Sequence, residues 1–207
     1  MKKYDLQFEN ERTESRRKMG QSQDLHQLSR SWMEKSAEFN YVYNFNWLNT
    51  PIIQFPQDII AMQELIIELE PDLIIETGVA RGGSVLFSAS MLALLDLRST
   101  LERGTPFAQT RKVLGIDIDI REHTRKAIED EPLSAYVELI EGSSIDQSII
   151  DSVKNKSAGF KKVMIFLDSN HTHKHVLAEL NGYQELVKTG GAIVVFDTSI
   201  EWDQNEY

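Results

Sequence analysis

The stretch Glu76-Thr77-Gly78-Val79-Ala80-Arg81-Gly82-Gly83-Ser84 puts an acid, a glycine turn, a glycine pair and a hydroxyl into one short run. Gly78 would let the backbone turn tightly, and Gly82 and Gly83 would allow a ligand to come close at the start of a helix. With Ala80 and Ser84 they make a candidate cofactor loop. The spacing is G-x-x-x-G-G, not the G-x-G-x-x-G that seats a pyrophosphate on a helix N-terminus. Glu76, just before the first glycine, also disfavours a pyrophosphate. An acid there suits a ligand carrying positive charge, such as the amine and sulfonium of S-adenosylmethionine (SAM).

Further along, polar residues recur wherever an apolar run stops. KVLGID ends in Asp117, whose carboxylate can accept hydrogen bonds from two ribose hydroxyls. Glu141-Gly142-Ser143-Ser144 is a turn able to border an adenine ring, with Gly142 and Ser143 as cofactor contacts. VMIFLD ends in Asp168, and AIVVFD in Asp197. Hard carboxylate oxygens converging there suit Mg2+, which keeps several waters and takes few protein ligands. Asp168 is therefore a metal, catalytic and cofactor-side candidate, and Asp197 a second metal ligand. His171, His173 and His175 stand close by, but alternate histidines at a helix start do not share a face, and His173 and His175 are expected to be exposed. That spacing also argues against zinc.

The elements that must position these groups are legible from hydrophobic period. Pro56 opens a helix with Ile59, Met62, Ile66 and Leu69 on one side. Strands are expected at 72–77, 112–117, 137–141, 163–168 and 192–197. Helices are expected at 82–95, 121–130, 144–154 and 174–188, with 98–111 as a loop. Apolar strands alternating with helices mean an α/β fold: a mainly parallel Rossmann-like sheet with helices on both faces. Ligands gather at the carboxyl ends of such strands, where the polar residues fall. The organisation expected is an arm at 1–55, charged to about residue 30 and then crowded with Trp32, Phe39, Tyr41, Tyr43, Phe45, Trp47 and Phe55, followed by a ligand-binding domain at 56–207.

Composition narrows the function classes. With 22 basic and 32 acidic residues the net charge is −10, which makes nucleic acid a poor partner. There is no cysteine, so disulfides and Cys-ligated zinc are excluded. No apolar run reads as a transmembrane segment, and the N-terminus lacks the apolar stretch of a secretory signal. A cytoplasmic protein is expected, and the aromatic stretch and charged arm suggest a homo-oligomer.

Five segments together resemble the class I methyltransferases, and more narrowly the cephalosporin hydroxylase family, which includes rhamnosyl O-methyltransferases. They are PDLIIETGVARGGS at 71–84, VLGIDIDIR at 113–121, LIEGSSID at 139–146, FLDSNHTHKHVLAEL at 166–180 and LVKTGGAIVVFDT at 186–198. The resemblance implies SAM-dependent methyl transfer to a hydroxyl, often assisted by a divalent metal. The acceptor it implies is a small molecule or a glycolipid: a sugar hydroxyl of a glycolipid or polysaccharide first, a secondary metabolite second. In the catechol-type metal-dependent methyltransferases a lysine base follows the acid by three places. His171 holds that offset from Asp168 and is the candidate general base.

The chain departs from the pattern twice. Family members tend to carry an acidic pair where this sequence has Phe196-Asp197, so one metal ligand is missing. The class I fold also adds two more strands after this point, so the C-terminal strands are expected to be missing from a chain ending at Tyr207, or the sheet to be completed otherwise. Three other readings stay open. They are a catalytically inactive SAM-fold binding protein, an NAD-dependent oxidoreductase, and an iron hydroxylase, which would need two histidines and a carboxylate in an H-x-D/E arrangement that is not visible.

Overall fold

The structure is a computed structural model and describes residues 6–198. The chain divides into two compact units, Met1–Asn44 and Phe45–Tyr207.

In the first unit the charged arm is helical. α1 (Leu6–Gln21) and α2 (Gln23–Ala37) meet at Ser22, whose hydroxyl caps α2 by accepting from the Leu25 N–H at 3.3 Å. α1 buries no residue. Its polar surface is laced by pairs such as Arg17 with Glu14 at 2.7 Å, the pattern that supports a helix polar all round. A 3-10 turn, Tyr41–Asn44, follows, with the Tyr41 ring edge-on to Trp32 at 5.0 Å.

The second unit opens with a small antiparallel hairpin, β1 (Phe45–Trp47) and β2 (Thr50–Ile52). The rest of the unit runs α3 (Pro56–Leu69), β3 (Leu73–Thr77), α4 (Gly83–Arg103), β4 (Lys112–Asp117), α5 (Glu122–Glu129), β5 (Val137–Glu141), α6 (Gln147–Ser157), β6 (Val163–Leu167), α7 (His173–Tyr183) and β7 (Ala192–Val195). The five strands β3–β7 make one parallel sheet in the order β5-β4-β3-β6-β7. The hairpin belongs to this unit, whereas an arm extending to residue 55 was expected. Trp47 donates its indole N–H to Ser90 Oγ at 3.0 Å and stands edge-on to Phe87.

Alternation along the strands builds two cores. Ile74, Val113, Met164 and Phe166 face one side with α3 and α4. Ile75, Leu114, Ile116 and Ile165 face the other with α6 and α7. β3 and β6 are buried along their whole length, as central parallel strands must be.

The expected loop at 98–111 is wrong in its first half. α4 continues to Arg103 and stops at Gly104, which takes a left-handed φ of +63°. The polar turn is helical because Arg98 reaches Glu102 at 3.0 Å, four residues on, so its outer face is a solvated helix surface. The remaining loop is tied down by buried Asp96, which accepts from Thr110 Oγ1 at 2.7 Å and Tyr136 at 3.0 Å and pairs with Arg111. α4 also has the length and apolar composition to cross a membrane, yet half of its most apolar window is packed inside this unit, as in a core helix.

The sheet order creates the crevice. The chain leaves β3 toward β4 and β5, then returns to the other side of β3 for β6 and β7. The reversal opens the sheet's carboxyl edge between β3 and β6, where a doubly wound fold binds ligands.

Candidate functional site

The glycine loop sits at that crevice and is held by acids. Gly78 turns off β3 with φ +90°, and a side chain there would collide with the Asp168 carbonyl oxygen. Only glycine combines that backbone with that closeness. Ala80 follows at φ +47°. The loop keeps its shape because Asp117 Oδ2 accepts from the Val79 N–H at 2.8 Å and the Ala80 N–H at 3.0 Å. Asp117 Oδ1 accepts from the Asp119 N–H at 3.2 Å. The residue expected at a ribose is therefore also the clasp of the loop. The Asp117 carbonyl accepts from the Gly142 N–H at 2.8 Å, which places the turn after β5 beside it, and Ser143 turns the chain on toward α6.

Glu76 is 1% exposed at the end of β3. Its carboxylate accepts from Ser84 and, at 3.3 Å, from Ser88, both on the first turns of α4. Burial pushes its pKa up to about 7, with the two hydroxyls opposing the shift. Ser84 is thus engaged inside the protein. The space beside Gly82 is filled by Ile128 side-chain atoms at 2.9 and 3.0 Å, and that beside Gly83 by the backbone of Pro51 and Ile52. The glycine pair was expected to admit a ligand, but these contacts show it admitting the protein's own α5 and hairpin.

Across the crevice, Asp168 Oδ2 accepts from Gln54 Nε2 at 2.7 Å. Burial, and then the charges of Asp197, Glu76 and Glu179, push the Asp168 pKa up to about 8. His171 Nε2 lies 3.1 Å from Asp197 Oδ2. One ligand atom from each of Asp168, His171 and Asp197 falls within 4.8 Å of the others. Asp197 reaches this position with φ +54°, uncommon for a residue with a side chain. Phe196 turns the other way and stands edge-on to Phe166 at 5.7 Å. The donor absent at Phe196 is replaced by an aromatic core contact, and the third donor atom here comes from His171.

Sequence reasoning missed two sets of residues. Gln54, between two apolar residues, carried no signal. The second set is a buried network behind Asp168. Glu179 is fully buried, and its Oε1 accepts from Ser144 Oγ at 2.6 Å and Ser169 Oγ at 2.7 Å. His175 Nε2 lies 3.1 Å from Ser144 Oγ and 3.2 Å from Ser169 Oγ. His175 is therefore largely covered, contrary to the exposed position expected, because its partner stands four residues on along α7. That spacing was readable. Tyr183 closes the group by donating to the Ser144 carbonyl.

A strand-end acid clasps a glycine loop, and an acid–histidine–acid cluster stands at the switch point, an arrangement whose donor atoms could hold a small cationic cofactor and a cation. Comparison with known proteins agrees on the lineage: the sequence profile of the rhamnosyl O-methyltransferase/CmcI family matches residues 39–207. The chain belongs to this family. It is 33% identical over 165 residues to a rhamnosyl O-methyltransferase of Mycobacterium leprae, a match covering 78% of this chain and 64% of the relative. The chain thus spans less than two thirds of that relative's length. Among solved structures it is similar to CmcI with Mg and SAM, at a TM-score of 0.53 and 17% identity over 77% of this chain and 60% of that one. A Staphylococcus aureus protein described as a caffeoyl-CoA O-methyltransferase gives a TM-score of 0.52 and 22% identity over 84% and 69%. These likenesses agree with the parallel α/β sheet expected from the strand pattern and with the class I methyltransferase fold that the resemblance implied.

Proposed function

We propose that this member of the rhamnosyl O-methyltransferase/CmcI family is a SAM-dependent O-methyltransferase acting on a sugar hydroxyl, with a divalent cation held by Asp168 and Asp197. The observation that carries the reading is the row of strand-end groups from Glu76 and Gly78 to Asp117 and Gly142, joined by the Asp117 hydrogen bonds to the loop. The mycobacterial relative's name supports a rhamnosyl acceptor.

The residues present fit a cation. Two carboxylates and an imidazole converge, and a nearby positive charge would reverse the raised pKa of Asp168. Asp168 and Asp197 would hold it, with His171 in reach, and a cation there lowers the pKa of a hydroxyl brought to it.

The chain's own groups then divide the work. Methyl transfer is a direct displacement at carbon, so alignment dominates the task. Glu76 supplies negative charge at the end of β3 for the cationic part of the cofactor. Asp117 offers acceptor positions to ribose hydroxyls. Asp197 Oδ2 stands 3.1 Å from Nε2 of His171, so the ring's other nitrogen would be the one to take the acceptor proton.

The test is methyl transfer from labelled SAM to rhamnosides. Turnover should require added Mg2+ and fall to background in Asp168→Ala, while SAM affinity stays within about threefold, since a structural-scale loss of about 1.4 kcal/mol would already be tenfold. Full activity surviving both EDTA and Asp168→Ala would overturn the metal part of the reading. No transfer to any hydroxyl acceptor, with SAM bound, would support an inactive binding protein.

A further inference from the structure

Gln54 takes no direct part in the proposed transfer. It lies in the short linker between β2 and α3, is 9% exposed, and puts its amide nitrogen 2.7 Å from Asp168 Oδ2, a residue 114 positions away. The backbone carrying it is fixed from both sides. Before it, Thr50 and Ile52 are buried, and the Ile52 Cα would lie only 2.7 Å from a side chain added at Gly83. After it, Phe55 heads α3, accepting from the Asp58 N–H at 2.9 Å and the Ile59 N–H at 3.2 Å. A buried side chain mounted on such a frame has little freedom to let go of its partner.

We infer that Gln54 is a positioning residue that pins one carboxylate oxygen of Asp168 and leaves the other, Oδ1, to face a divalent cation. The inference rests on the reading of Asp168 as a cation ligand. An amide suits the task for two reasons. It donates a hydrogen bond without bringing charge, whereas a lysine or arginine at this point would neutralise the acids itself and stand in for the cation. It also opposes rotation of the carboxylate, so the ligand is set before the ion arrives. Partners of this kind, one shell out from the ion, commonly change metal affinity 10- to 100-fold.

The test uses the full chain and Mn2+ alone as the probe, with free Mn2+ followed by its paramagnetic resonance signal. Gln54→Met keeps the length and loses the donor. Gln54→Asn keeps the amide but withdraws it from Oδ2. Both should bind Mn2+ about tenfold more weakly than the parent, with SAM affinity within about twofold and an unchanged melting temperature. Mn2+ affinity equal to the parent in Gln54→Met would overturn the positioning role. So would a parallel fall in SAM affinity and melting temperature in both variants, since that marks a packing role. Asp168→Ala separates the two levels: if it binds Mn2+ as tightly as the parent, the cation reading fails and this inference with it. If it loses Mn2+ while Gln54→Met keeps it, the cation site stands and Gln54 does not position it.

Discussion

Buried Glu76 and half-buried Asp168 stand at the crevice, and their protonation ties stability to pH. Burial lifts Glu76 from 4.5 to about 7, and burial with neighbouring acids lifts Asp168 from 3.8 to about 8. Between the unfolded and folded values the native protein holds protons that the unfolded chain has released. Stability therefore falls as pH rises: this contribution is complete below about pH 4 and is lost progressively up to about pH 8. In EDTA, the melting temperature should be higher at pH 5 than at pH 8, and Glu76→Gln should shrink the difference because it removes one of the two groups. A melting temperature that rises over this interval, unchanged in slope by Glu76→Gln, would contradict the burial argument.

At the scale of elements, the hairpin is seated by the absence of a side chain. Gly83, the first residue of α4, lies against Pro51 and Ile52, and a methyl group there would push β2 away. Gly83→Ala should cost about 1–3 kcal/mol, the range for overpacking, read as a lower urea midpoint. An unchanged midpoint would mean the hairpin yields freely. The same residue shows what a sequence hides. The strand boundaries at 112–117 and 137–141 were legible because β-branched and apolar runs ended abruptly in polar residues. The glycine pair was legible as a close approach, but not what approaches, since Gly83's partners lie in a segment read as part of an arm and Gly82 meets Ile128 of the following helix. Gln54 and Asp168 are brought together by the crossover topology, which no local pattern encodes. His171 was found by its offset from Asp168. Its pairing with Asp197 was not, since it depends on the backbone turn at Asp197. α4 outran its expected end because a polar helical turn and a loop share composition.

For the molecule as a whole, the strand order sets the function. The order in which the parallel strands are added reverses between β3 and β6, and this brings Asp117 and Asp168 to the same edge as Glu76 and Gly78 although they lie far along the chain. The net charge of −10 gives such a site no help in drawing in phosphate-rich ligands. On the proposed function, this edge binds SAM through the loop that Asp117 clasps. The most direct test is a calorimetric titration of the full chain with SAM, repeated on Asp117→Ala. Saturable one-to-one binding to the parent is expected, with a loss of about 1.5–3 kcal/mol in the variant, the scale of hydrogen bonds to a charged group. Absence of SAM binding by the parent, or equal affinity in Asp117→Ala, would contradict this reading.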